Sequence, residues 1–236
     1  FEYLKWMIAA GGKAVLVDTE RKISPGMLKA QFGEYLDSLI HEPVDYLEEA
    51  QSTTYQHIQF AADHLEKGIV VPTVIVIDSI MGANLAESDK KMQKEGHAEE
   101  VGYDGARAAK SMSSWLKGVV TWLADLPVAL FFVNHDKDDL SAVSPHPNIK
   151  VKKQPGGKAI KFHCTNQLSN RVLSRNNAVG RVSTSDAEGI DARIIKIRTG
   201  KCGTGPDGRH IIVPVRWKYD EQGDQHIWWD WNLATS

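Results

Sequence analysis

Val74-Ile75-Val76-Ile77-Asp78-Ser79 is a run of four β-branched apolar residues closed by an acid and a hydroxyl. β-Branched side chains favour the extended backbone, and an unbroken apolar run, unlike an alternating one, marks a strand covered on both faces, as in parallel sheets. The acid then falls at the carboxyl end of a buried strand, which is where open α/β sheets hold their ligands. Two further segments share the form: Ala14-Val15-Leu16-Val17-Asp18 leads into Thr19-Glu20, and Val128-Ala129-Leu130-Phe131-Phe132-Val133 leads into Asn134-His135. Helical spacing fills the intervals at residues 1–10, stopped by Gly11-Gly12, at 47–67, stopped by Gly68, and at 106–126. Strands alternating with helices predict an α/β fold with a mostly parallel central sheet, flanked by helices and joined by right-handed crossovers.

Residues 136–157 break this pattern with a polar stretch holding Pro145, Pro147, Pro155 and Gly156-Gly157. It reads as a long loop, and loops of that length are commonly functional or disordered. Beyond it the period shortens. Runs at 167–174, 192–198 and 211–219, with turns at Asn176-Asn177, 203–208 and Gln222-Gly223, predict an antiparallel C-terminal extension of the sheet. There is no repeat, low-complexity tract or linker, so residues 1–236 read as a single domain.

At 236 residues, 42% hydrophobic and 25% charged, the chain can bury one substantial core. No apolar run nears the ~20 residues of a bilayer span, and the order of a signal peptide is lacking, so a cytoplasmic protein with no membrane partner is expected. Cys164 and Cys202 stand outside any CxxC or Cys/His cluster and read as reduced thiols. A formal charge of −2 gives no global attraction to nucleic acid, so contact with DNA must come from local basic segments.

Each strand end has a chemical reading and a plainer one. Asp78 can hold Mg²⁺ directly or through water, or it can cap the next helix. Glu20 can polarise a water attacking a γ-phosphate, or be an ordinary surface acid. His135 can report the state of that phosphate to the following loop, or simply be solvated.

The set resembles the RecA-type homologous recombinases of bacteria and phage. Leu16-Val17-Asp18-Thr19-Glu20, residues 74–79, the helix entry at 102–117 and Pro155-Gly156-Gly157-Lys158-Ala159-Ile160-Lys161-Phe162 occur in that family's order and spacing over nearly the whole chain. The most specific element is the Gly-Gly-x-Ala-x-Lys-Phe signature after the long loop. The resemblance implies a RecA-like ATPase core using ATP and Mg²⁺. Glu20 then corresponds to the catalytic glutamate, Asp78 to the Walker B aspartate that holds the metal, and Ser79 to its neighbour. His135 stands where the family usually has Gln, a departure at the nucleotide-sensing position.

Residues 92–105 resemble the family's first DNA-binding loop, with Arg107 just after it, and 136–157 the second. Lys150, Lys152 and Lys153, Gly156 and Gly157, then Lys158 and Lys161 are the implied contacts to a DNA backbone. Asp136, Asp138 and Asp139 oppose binding in the first half of loop two. Ile149 and Val151 replace the aromatic that many relatives place there. Lys196, Arg198 and Lys201 fall where relatives present two basic residues to ATP on the neighbouring subunit, and Met27 near the adenine. No Gly-x-x-x-x-Gly-Lys-Ser/Thr occurs, and Gly11-Gly12-Lys13 fails its spacing. In the family that loop lies just upstream of the helix at residues 1–10. The resemblance therefore implies that the phosphate loop and an oligomerisation helix precede these residues.

The implied function is homologous pairing and strand exchange by a filament on single-stranded DNA that takes up double-stranded DNA, in a bacterium or a phage-infected cell. A non-catalytic recombinase paralogue acting as a filament accessory, and a ring-forming helicase of the same core fold, are the alternatives. Retention of Glu20 and Asp78 opposes the first, and the Gly-Gly-x-Ala-x-Lys-Phe segment the second.

Overall fold

The structure, a computed structural model, describes residues 1–80, 85, 101–135, 137–138, 152–153, 157–172, 191–203, 207–219, 225–229 and 234. They divide into two compact units, one of residues 1–24 and 34–163, the other of residues 25–33 and 164–236.

The first unit carries a four-stranded parallel sheet. Its strands are β1 (Lys13–Asp18), β2 (Leu39–Pro43), β3 (Thr73–Asp78) and β4 (Val128–Phe132), in the order β2-β1-β3-β4. The apolar runs in β1 and β3 bury because helices cover them. Helix α1 (Glu2–Ala9) and helix α3 (Leu47–Glu66) both pack on these two strands, and α4 (Val101–Leu123) packs on α3. Leu4, Leu16, Ile58, Ile75, Ile77, Met112 and Leu116 are the fully buried centre. Gly11 and Gly68 end α1 and α3 with φ of 77° and 76°, a left-handed turn that side chains other than glycine's rarely adopt. At the other end of α3, the Glu49 carboxylate accepts the backbone N–H groups of Asp45 (2.9 Å) and Tyr46 (3.3 Å), two donors outside the helical ladder.

His57 on α3 faces the β1–β2 side, its Nε2 3.9 Å from a Glu42 carboxylate oxygen and without a hydrogen-bond partner among the described residues. Burial, helped by the Lys13 ammonium, lowers its pKa from 6.5 to about 4. The unfolded chain therefore takes up a proton below pH 6.5 that the folded chain refuses, and stability falls as pH drops from 6.5 towards 4. Urea unfolding at pH 7 and pH 5 is expected to show that loss in the parent and a smaller one in His57→Asn. Equal pH slopes in the two proteins would contradict this role.

The second unit holds a four-stranded antiparallel sheet, ordered β10-β9-β8-β7. It comprises β7 (Asn166–Val172), β8 (Asp191–Cys202), β9 (His210–Tyr219) and β10 (Gln225–Trp229), with α2 (Pro25–Phe32) packed on β10. The expected antiparallel strands are present, but they pair as a sheet of their own and not as an extension of the parallel one. A further difference lies inside the predicted loop 136–157, where β5 (Lys137–Asp138) and β6 (Lys152–Lys153) form a short antiparallel ladder. The chain is thus α/β, with one parallel sheet flanked by helices and one separate antiparallel sheet.

Candidate active site

In a parallel sheet the strands end together, and the register sets Asp18 directly beside Asp78. The ladder continues one step beyond β4, with Val133 N–H donating to the Ile77 carbonyl (3.0 Å), which brings Asn134 and His135 to the same edge. The three strand ends singled out in the sequence therefore meet.

Asp18 is 1% exposed. Its Oδ1 accepts the backbone N–H groups of Glu20 (3.2 Å) and Arg21 (2.8 Å), and its Oδ2 that of Ile23 (3.4 Å). His41 Nε2 is 3.4 Å from the same Oδ2, an ion-pair distance without hydrogen-bond geometry. These contacts wind the chain after β1 into a tight turn, in which Arg21 takes a positive φ of 51°. Thr19 braces the turn, its hydroxyl donating to the Ser79 carbonyl at 2.6 Å. The Asp78–Ser79 peptide is cis.

The turn delivers Glu20. Its Oε1 accepts the Ser79 hydroxyl at 2.8 Å and lies 3.4 Å from His135 Nε2, and its Oε2 is 2.6 Å from the Lys22 ammonium. Hydrogen bonding from Lys22 first, then from Ser79, holds the Glu20 carboxyl below the ordinary range, so it is ionised at neutral pH. Asp78 shifts the opposite way. Burial pushes its pKa up, and the negative charges of Glu20 and Asp18 add to that.

These donors can serve a divalent ion that arrives with phosphates. Mg²⁺ takes one or two protein carboxylates and fills its remaining positions with phosphate oxygens and water. Asp78, held half-buried among like charges, is the carboxylate that such an ion would relieve. Asp18 is committed to the turn, its two oxygens accepting three backbone N–H groups. Among the described residues no group of three or more His, Cys, Asp or Glu could hold a metal alone.

The structure brings Glu20, Ser79 and His135 together and sets Asp78 beside them. Arg107 lies on α4, and Lys158 and Lys161 lie on α5 (Gly157–His163), a helix packed against α4 and begun by Gly157. Lys152 and Lys153 form β6. Lys150 and Gly156 lie outside the described residues, as do most of the residues of both proposed DNA loops. Lys196, Arg198 and Lys201 belong to β8 in the second unit. Sequence reasoning passed over Asp18, Thr19 and Lys22. The rule that found Asp78, a polar residue closing an apolar strand, applies equally to Asp18 at the end of β1.

No family model matches the chain, and no curated protein matches it. No helix among the described residues is long and apolar enough to cross a membrane.

Proposed function

We propose that this chain is the ATPase and DNA-binding core of a RecA-type recombinase that assembles on single-stranded DNA and promotes pairing and strand exchange. One observation carries the reading. Glu20, Ser79 and His135, picked from three separate strand ends, converge at the carboxyl edge of a parallel sheet, where Glu20 Oε1 lies 2.8 Å from the Ser79 hydroxyl and 3.4 Å from His135 Nε2. Bound ATP with Mg²⁺ supplies the phosphoryl group and the charge neutralisation of its transfer. Asp78 would hold the ion. Ser79 orients Glu20 through its hydroxyl, and the ionised Glu20 accepts hydrogen-bond density from a water aligned on the γ-phosphate. His135 occupies the position that reports the phosphate to loop two. Lys196, Arg198 and Lys201 are proposed to reach ATP on a neighbouring copy, which ties hydrolysis to assembly into a helical filament or ring.

The test is hydrolysis of ATP, with and without single-stranded DNA, by the protein that carries this sequence, followed by strand exchange. Turnover that DNA fails to stimulate would sink the reading. A second measurement isolates loop two. Each lysine that neutralises one phosphate of a single strand contributes ~0.7 to the slope of log K against log salt, so Lys150→Ala, Lys152→Ala and Lys153→Ala together are expected to flatten it by ~2 units. ATP binding without DNA should persist. A parent-like slope with affinity intact would remove these lysines from the DNA path.

A further inference from the structure

A base that aligns a water needs one of its oxygens clear, and both oxygens of Glu20 are engaged. Oε1 accepts the Ser79 hydroxyl at 2.8 Å and lies 3.4 Å from His135 Nε2, while Oε2 lies 2.6 Å from the Lys22 ammonium. One of these contacts has to open for hydrolysis. Ser79 is 1% exposed and its carbonyl is tied to the Thr19 hydroxyl, so the Oε1 side is braced by the end of β3. The Oε2 side is held by a side chain that is 78% exposed.

Lys22 can move its head without moving its backbone. The N–H groups of its two neighbours, Arg21 and Ile23, both donate to the buried Asp18 carboxylate, so the chain is pinned on either side of it. From that anchor runs a flexible four-carbon stem ending in a compact charge with three donors. Arg21, the adjacent cation, is committed elsewhere, its guanidinium meeting the two oxygens of Asp45 at 2.7 and 2.9 Å.

An exposed lysine–carboxylate pair is weak, because water competes for both partners. A terminal phosphate carries more charge and more acceptor oxygens than a carboxylate, and competes well for an ammonium. The Glu20 contact raises the Lys22 pKa, and the negative charge of Asp78 acts in the same direction, so the ammonium lies in the field of the carboxylate proposed to hold Mg²⁺.

Resting on the ATPase reading above, we infer that Lys22 shifts its ammonium from Glu20 to the terminal phosphate of a nucleoside triphosphate, which clears Oε2 for the water and makes the site prefer the triphosphate to the diphosphate. A diphosphate lacks the phosphate that draws Lys22 away, so the base stays covered.

The test is a calorimetric titration of the β,γ-imido analogue of ATP and of ADP, each with Mg²⁺, into the protein that carries this sequence. Lys22→Met keeps the stem and removes the charge. It is expected to weaken the triphosphate analogue about tenfold, the loss usual for one charge-assisted hydrogen bond, and to leave ADP unaffected. Lys22→Arg is expected to restore most of the preference. Glu20 competes for the same ammonium, so Glu20→Gln is expected to tighten the triphosphate analogue more when Lys22 is present than in the double variant Glu20→Gln with Lys22→Met. An ion pair that stays closed on nucleotide binding predicts neither effect. Equal changes for the two nucleotides in Lys22→Met, or none, overturn the inference, as does a gain in Glu20→Gln of the same size with and without Lys22. With ATP hydrolysis by the parent still stimulated by DNA, those outcomes leave the recombinase reading standing. A parent that binds neither nucleotide overturns that reading and this inference together.

Discussion

Glu20→Gln is expected to slow DNA-stimulated ATP hydrolysis by ~10²–10⁴-fold in the protein that carries this sequence, the usual range for loss of a positioned general base. The substitution is nearly isosteric. The Gln side-chain oxygen can still accept the Ser79 hydroxyl that Glu20 Oε1 accepts at 2.8 Å, so the end of β3 keeps its brace. What disappears is the negative charge, which Lys22 and Ser79 stabilise by holding the carboxyl below its ordinary pKa. A neutral amide does not draw a proton from water. Nucleotide affinity and ATP-dependent binding of single-stranded DNA are expected to survive, because the proposed phosphate and metal contacts lie on other residues. Steady-state hydrolysis alongside a nucleotide-binding titration checks both halves. Hydrolysis at the parent rate would remove Glu20 from the chemistry, and parallel loss of nucleotide binding would make it a structural residue.

The strand ends were legible because a parallel strand covered on both faces has to be apolar without interruption, and a polar residue at its tip then stands out. β1 and β3 are such strands, and β4 carries the same apolar run although it is an edge strand with alternate residues exposed. β2 (Leu39-Ile40-His41-Glu42-Pro43), at the other edge, lacks the run because charge and proline interrupt it. The β5–β6 ladder was hidden for another reason: two residues per strand are too few for any period to show. In β8 the difficulty was long-range. Which of Lys196, Arg198 and Lys201 act together depends on the shift opposite Gln167, and that shift is fixed by pairing with β7, some thirty residues away in the chain.

The architecture of the candidate site also rests on a residue that takes no part in the proposed chemistry. Asp18 is 1% exposed and receives the N–H groups of Glu20, Arg21 and Ile23, so it shapes the turn from which Glu20 reaches Ser79. Asp18→Ala would leave those part-buried donors without their acceptor, at about 1–3 kcal/mol for each group that water cannot reach. Taking ~2–4 kcal/mol for the whole turn, and 2–4 °C per kcal/mol for a chain of this size, the thermal midpoint is expected to fall by roughly 5–15 °C. Asp18→Asn separates shape from charge. It retains an oxygen for the Glu20 and Arg21 N–H groups, which share Oδ1, but sets an amide donor towards Ile23 N–H and His41. Its loss should be intermediate. If the turn acts by aiming Glu20, the order parent, Asn, Ala should appear in hydrolysis as well as in stability, with nucleotide affinity changing less than turnover. A thermal midpoint for Asp18→Ala equal to the parent's would show that the turn holds without its carboxylate, and the position of Glu20 would then need another cause.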